Sequence, residues 1–256
     1  MMALPNLFRL IYRNFRVNTD PGSLVILIGL PALYLVFFGF GFSSFAGGGT
    51  GDASYLAFLT PGIMAFQVVM AGTVGGSILW SDRRWGMLAQ LLLGPFTRLE
   101  YLLGIMLTSV ILGLFGAIIM LLVALGLLGS VPVTLTGFLI ILGVLTVGSL
   151  LFGSIMLIIA ALVKSSNAYN SIQVLIIFVV NFASTVFYPF SPKLPTLIQA
   201  LFDVNPLTYV ADIVRSSYFG TLGSVDLSYF IVLASSTLVL LYLATRTYMR
   251  SDVSMD

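Results

Sequence analysis

The chain has 256 residues, of which 59% are hydrophobic and only 8% charged, with a net charge of +2. Soluble domains carry about 25% charged residues, so a soluble fold is excluded and an all-α polytopic membrane protein is expected. Cys and His are both absent, which removes thiol and imidazole catalysis, disulfides and the usual zinc and haem ligand sets. The small net charge gives no reason to expect a nucleic-acid partner.

The first segment, LPNLFRLIYRNFRV, is basic and amphipathic. Arg9, Arg13 and Arg16 recur at helical spacing on one face, and Leu7, Phe8, Ile11 and Phe15 occupy another. Residues 1–20 therefore read as a helix lying in a membrane interface, either guiding an amphiphile towards the protein or anchoring its orientation. Asp20-Pro21 supplies a cap and a first-turn proline for a first span, which Pro31 should kink. Ser44-Phe45-Ala46 imitates a signal-cleavage site, but the preceding apolar run is longer than a signal core, so it reads as a retained span. Residues 43–58 read as a glycine-rich external connector.

The charge-free stretches are 21–51, 53–81, 101–163, 165–192 and 227–245. A bilayer core of about 30 Å needs roughly 20 helical residues, so the third stretch must break, and Gly129-Ser130-Val131-Pro132 is the place. Six spans follow, near 22–42, 59–80, 100–128, 135–163, 169–188 and 227–246. Arg9, Arg13, Arg16, Arg83, Arg84, Arg98, Lys164, Arg246 and Arg250 then fall on one side, against Lys193 and Arg215 on the other. That asymmetry puts both termini in the cytoplasm of a multi-pass protein of the cell (plasma or inner) membrane.

Residues 189–226 are too broken by proline to span and too apolar for an ordinary loop. Leu194–Phe202 and Pro206–Tyr218 each suit a short helix, the second capped by Asn205. An external re-entrant hairpin satisfies both constraints, and two helices lying flat on the outer surface are the alternative. Asp212 and Arg215 are spaced to pair on a helix. No internal repeat is visible, so residues 1–256 form a single membrane domain.

Between spans two and three lies WSDRRWGMLAQLLLGPFTRLEYLLG, a polar and basic island. Met87, Leu88, Leu91 and Leu92 form an apolar helical stripe, with Arg83, Arg84 and Gln90 outside it. Gly94-Pro95 ends that helix. Thr97-Arg98-Leu99-Glu100 matches a capping box, with Phe96 and Tyr101 placed for a hydrophobic staple. Residues 81–99 thus encode a short interfacial helix, a sharp turn and a fixed start to span three. They read either as a docking lever or as a charged loop that sets topology.

This island resembles the signature of ABC transporter permeases of the type-2 export family, through Asp82, Arg83, Arg84, Gly86, Leu91, Leu92, Pro95, Arg98, Glu100, Leu102, Leu103 and Gly104. Leu59-Thr60-Pro61-Gly62-Ile63 resembles that family's start of span two. Asn205-Pro206-Leu207-Thr208-Tyr209 with Arg215 resembles its motif before the last span. One departure is Asp82-Arg83-Arg84, where many relatives carry a Glu-Arg-Glu-like order. The resemblance implies a cytoplasmic coupling helix that docks on a separate ATP-binding cassette subunit, through Asp82, Arg83, Arg84, Trp85, Gly86, Met87, Leu88, Leu91, Leu92, Pro95, Arg98 and Glu100. It further implies two copies of that subunit and a second permease chain, most simply an identical one, with spans one and five meeting across the dimer. The external hairpin would use Asn205, Pro206, Tyr209, Asp212 and Arg215. The chain itself has no G-x-x-x-x-G-K-[ST] loop, so ATP and Mg are expected on the partner and no cofactor on this chain.

No Asp, Glu, Lys or Arg falls in the interior of a predicted span, which argues against proton antiport and ion pumping and favours an apolar or amphiphilic cargo. Phe37, Phe38, Phe66, Met70, Phe178, Phe182 and Phe187 are candidate lining residues of a soft lateral pocket, against the plainer reading of helix packing. Gly72 and Gly76 form a GxxxG suited to close helix contact. The expected function is non-enzymatic: ATP-driven export of a hydrophobic or amphiphilic small molecule or lipid. The alternatives are export of a lipid-linked polysaccharide and, in another class, a passive channel. An intramembrane enzyme lacks candidate acid–base groups.

Overall fold

Apolar runs with no water to satisfy their backbone must close their hydrogen bonds within helices. The computed structural model, which describes residues 4–45 and 52–253, carries eleven α-helices among them. The amphipathic α1 is Leu4–Val17. Asp20 then caps α2 (Pro21–Leu24), accepting the amides of Gly22 at 3.0 Å and Ser23 at 3.2 Å. The hydroxyl and amide of Ser23, with the Gly22 amide, hold the Asp20 carboxyl below its ordinary pKa. A π-helical turn over Val25–Gly29 joins α2 to α3 (Leu30–Phe45), with the Leu30 amide bonded to the Val25 carbonyl five residues back. Proline has no amide to continue the ordinary ladder. The kink expected from Pro31 is thus taken up one turn earlier as a widened turn.

The central helix α4 is Asp52–Arg84. It begins seven residues before the expected start, so Pro61 lies inside it. The expected connector 43–58 is accordingly too long: α3 runs to Phe45 and α4 resumes at Asp52. Residues 46–51, with the end of the signal-like Ser44-Phe45-Ala46, lie outside the described residues. The short α5 is Met87–Leu93, and α6 is Arg98–Leu128. The expected break follows, with Gly129 in the left-handed region at φ 73. Then come α7 (Leu135–Leu162) and α8 (Ser166–Phe182). The latter has 17 residues and ends well before the expected residue 188. Two short helices, α9 (Thr196–Val204) and α10 (Pro206–Phe219), meet at 78°. The last helix, α11, is Ser224–Arg250.

Among the described residues five segments are long and apolar enough to cross a membrane, the continuous run Pro21–Gly41 through α2 and α3 together with α4, α6, α7 and α11, and six if the bent pair α9–α10 counts as one span. The described residues are all-helical, and the protein is a multi-pass membrane protein.

α4 occupies the centre of the bundle. Its apolar window is 89% buried inside the protein, against 17% for α11, and it packs on α3, α6, α7 and α10. A helix apolar all round is suited to that place. Gly72 and Gly76 let α4 approach α7. A Cβ on Gly72 would lie 2.7 Å from the Phe152 carbonyl carbon, and one on Gly76 would lie 2.8 Å from Cβ of Met156. Within this chain the GxxxG is therefore spent on a contact between helices of one subunit. Gly72→Val is expected to cost about 3 kcal/mol through overpacking against backbone. The check is the melting temperature of the detergent-solubilised chain; an unchanged value would show that α7 gives way freely.

Candidate functional site

The sequence 81–100 folds as a joint. α4 ends at Arg84, and Gly86, at φ 70, makes a left-handed turn that residues with a side chain rarely adopt. α5 follows for two turns and stops at Gly94. Thr97 and Glu100 then close a reciprocal capping box: the Thr97 amide donates to Glu100 Oε2 at 2.8 Å, and the Glu100 amide donates to Thr97 Oγ1 at 3.2 Å. Glu100 is buried.

The apolar stripe of α5 faces its own bundle. Leu88 is buried, and Leu91 and Leu92 pack, with Phe96, on a core formed by Leu10, Leu79, Tyr101, Leu157 and Tyr248. The opposite face of α5 carries Gln90 and Leu93, and Leu93 is 90% exposed. Trp85 is 77% exposed, and Arg84, Met87 and Pro95 are exposed around it. An exposed indole, isobutyl group and guanidinium in one joint have the composition of an interface centre.

The charged residues of the joint divide sharply. Arg83, next to the exposed Arg84, is buried. Its Nη1 donates to the carbonyls of Ala160 at 2.7 Å and Ala161 at 2.8 Å, and its Nε donates to the Asp252 carbonyl at 3.1 Å. Those alanines sit in the last turn of α7, where carbonyls lack an intrahelical donor. Arg98 does the same for α11, donating to the carbonyls of Met249 at 2.9 Å and Ser251 at 3.3 Å. Asp82 pairs with Arg13 of α1 and accepts the Tyr101 hydroxyl at 2.7 Å. Asn6 donates to the Pro95 carbonyl at 2.9 Å. The inner side of the joint is thereby bonded to α1, α7 and α11.

At the far end of the bundle, Asn205 caps α10 through the Leu207 amide at 3.0 Å. Its Nδ2 reaches the carbonyls of Val180 at 2.7 Å and Ala183 at 2.6 Å. Pro206 is the first residue of α10, and Tyr209 donates to the Asp203 carbonyl. Arg215 pairs with Asp212 at 2.8 Å, donates to the Thr185 carbonyl at 2.7 Å and lies 4.1 Å from the ring centroid of Phe58. Thr185 in turn donates to Asp212 at 2.7 Å. These bonds knot the helix pair to the chain leaving α8.

The profile of the ABC-2 type transporter family matches residues 5–219. The chain belongs to that family. No match was found among curated proteins. Members are the transmembrane component of ABC transporters and normally work with an ATP-binding subunit.

In this ABC-2 permease, five of the seven candidate lining residues form one aromatic chain. Phe38, Phe66 and Phe187 surround Tyr34, with ring centroids 5.7–5.8 Å from it, and Phe182 and Phe178 continue the series at 5.0 and 6.0 Å steps. Met70 lies beside a cavity of about 150 Å³ that also touches Thr73 and Gln173. Phe37 is 70% exposed and stands apart from the series. Tyr34 and Leu93 are the residues that sequence reasoning missed. Leu93 carried a signal, being the apolar residue opposite the stripe of α5; Tyr34 carried none.

Proposed function

We propose that the chain is the transmembrane subunit of an ATP-driven exporter of a hydrophobic or amphiphilic small molecule or lipid. A separate ATP-binding subunit docks on Arg84, Trp85, Met87, Gln90, Leu93 and Pro95. The observation that carries this reading is the two-sidedness of the joint: its inner side is bonded to three helices, and its outer side leaves large apolar groups uncovered by the chain. Arg83, Asp82, Arg98 and Glu100 act in this scheme by transmitting movement, not by touching the partner. The basic residues gathered at this end favour a cytoplasmic joint and cytoplasmic termini.

Two permease copies pair through α3 and α8, whose exposed Leu33, Phe37, Val174, Leu175 and Phe178 suit such a contact. ATP and Mg are used by the partner. Its closure moves α5, and the bonds to α1, α7 and α11 carry that displacement into the bundle as a rigid-body change between two states. Cargo leaves past the α9–α10 pair, read as a re-entrant external hairpin. Export of a lipid-linked polysaccharide is less well supported, since sugars need open ring faces and Phe182 is already stacked on Phe187 and Phe178.

The test is transport of a fluorescent amphiphile into inverted vesicles bearing the permease and its cognate ATPase. Accumulation is expected with ATP and not with a non-hydrolysable analogue. Movement unaffected by nucleotide would identify a passive channel instead.

A further inference from the structure

A groove of about 420 Å³ lies between the ends of α7 and α11. Its lining has two chemistries. Leu162 of α7 and Leu243 of α11 supply an exposed apolar part. Arg246 and Arg250, one turn apart on α11, supply a cationic part. Both arginines are exposed, and neither has a hydrogen bond or ion pair with another described residue. Among the described residues no acid lines the groove. Like charges on successive turns of a helix repel one another, so an anion seated between them relieves a cost that the chain leaves standing. The charge-free stretch 227–245 ends just before Arg246, and that of α7 ends before Lys164. The groove is therefore at the edge of the bilayer, with Leu243 towards the hydrocarbon and the guanidiniums at headgroup level. The span of α11 is only 17% buried inside the protein, which leaves the groove open to lipid.

The guanidinium fork matches the oxygens of a phosphate, and basic pockets between spans are a recurrent seat of anionic headgroups. A free anion would use the arginines alone, whereas a lipid uses the leucines as well. We infer that this groove binds an anionic phospholipid, with Arg246 and Arg250 on its phosphate and Leu162 and Leu243 against the start of an acyl chain. Two other residues of the lining also anchor the joint. The Ala161 carbonyl accepts Arg83 at 2.8 Å, and the Ser251 carbonyl accepts Arg98 at 3.3 Å. A lipid in the groove thus ties α7 to α11 at the points where the joint is fixed, and its occupancy stiffens the mounting of the lever. That consequence, unlike the binding, rests on reading the joint as the ATPase dock.

The test uses the full-length chain, purified in detergent and stripped of lipid. Binding is measured by native mass spectrometry and thermal unfolding with three probes: dioctanoyl phosphatidylglycerol, dioctanoyl phosphatidylcholine and free glycerol phosphate. The glycerol lipid is expected to bind at least tenfold tighter than the other two. At a hundredfold excess over its Kd it should raise the melting temperature by about 5 °C. Arg246→Gln with Arg250→Gln should erase both the preference and the shift. Leu162→Glu, at an exposed position, offers the arginines a carboxylate instead and provides a second variant should the first fail to fold. Arg9→Gln with Arg16→Gln removes the same charge from exposed sites of α1 and should change neither readout. Equal binding of the two lipids would overturn the assignment, and glycerol phosphate binding as tightly as the lipid would overturn the membrane source. An equal loss in the α1 variant would make overall charge, not the groove, responsible. Release of the lipid on adding the cognate ATP-binding subunit would give the groove to that partner. The lipid titrations use the permease alone, so they stand or fall separately from the role of the joint.

Discussion

Arg83→Met should lower the stability of the permease by about 3 kcal/mol, while Arg84→Met should leave it unchanged. The two side chains are neighbours in sequence and opposites in setting. The Arg83 guanidinium is buried and donates to three carbonyls, two of them in the last turn of α7. Charge-assisted hydrogen bonds are each worth about 1.5–3 kcal/mol, and two of the three share Nη1, so their losses do not add fully. Methionine keeps the stem in its apolar surroundings and leaves those carbonyls without a donor. Arg84 is exposed, so its replacement removes no buried bond. Thermal unfolding of the two purified variants, followed by monodispersity after heating, reads the difference. Matching melting temperatures would mean that Arg83 does not anchor α7. Arg84→Met should show instead as weaker association with the ATP-binding subunit.

The double variant Trp85→Asp, Leu93→Asp should separate the permease from its ATPase while preserving its fold. Both side chains are exposed in the isolated chain, at 77% and 90%, so neither contributes to its core. At an interface centre, large apolar anchors are commonly worth 2 kcal/mol or more apiece. Together that is about 4 kcal/mol, a weakening on the order of a thousandfold. Co-purification and permease-stimulated ATP hydrolysis should both be lost at an unaltered melting temperature. Retention of the complex would move the dock elsewhere. The companion Leu91→Ala should do the reverse, loosening α5 from its bundle.

Local chemistry was legible in the sequence wherever a few neighbouring residues decide the outcome. The Thr97–Glu100 box, the Asp20 and Asn205 caps, the break after Gly129 and the stripe of α5 all appear as read. The Asp212–Arg215 pair, placed by helical spacing alone, forms at 2.8 Å. What escaped depends on distant parts of the chain. Pro61 suggested the start of a helix, yet α4 runs through it from Asp52, since a proline buried among other helices is tolerated where they cover its freed carbonyl. Arg83 and Arg84 are indistinguishable by type. Only the end of α7 and the return of residue 252 decide which of them turns inward. The stripe Met87, Leu88, Leu91 and Leu92 suggested a docking face, but an amphipathic helix has two possible customers, and Leu10 and Leu157 on this chain's own bundle take most of it. The aromatic chain needed Tyr34, which lies one turn from Phe38 in α3 but far in sequence from Phe66 and Phe187.

The end of α11 and the residues after it are held largely through their main chain: Arg98 holds the oxygens of Met249 and Ser251, and Arg83 that of Asp252. These carbonyl contacts depend on the length of the chain and not on the type of side chain. A purification handle appended past Val253 leaves every acceptor in place. Trimming the chain to Arg250 strips two of them, leaving Arg83 on the end of α7 alone and Arg98 on Met249 alone. The two residues Ser251 and Asp252 thus tie the span of main chain past α11 to the grip on the joint.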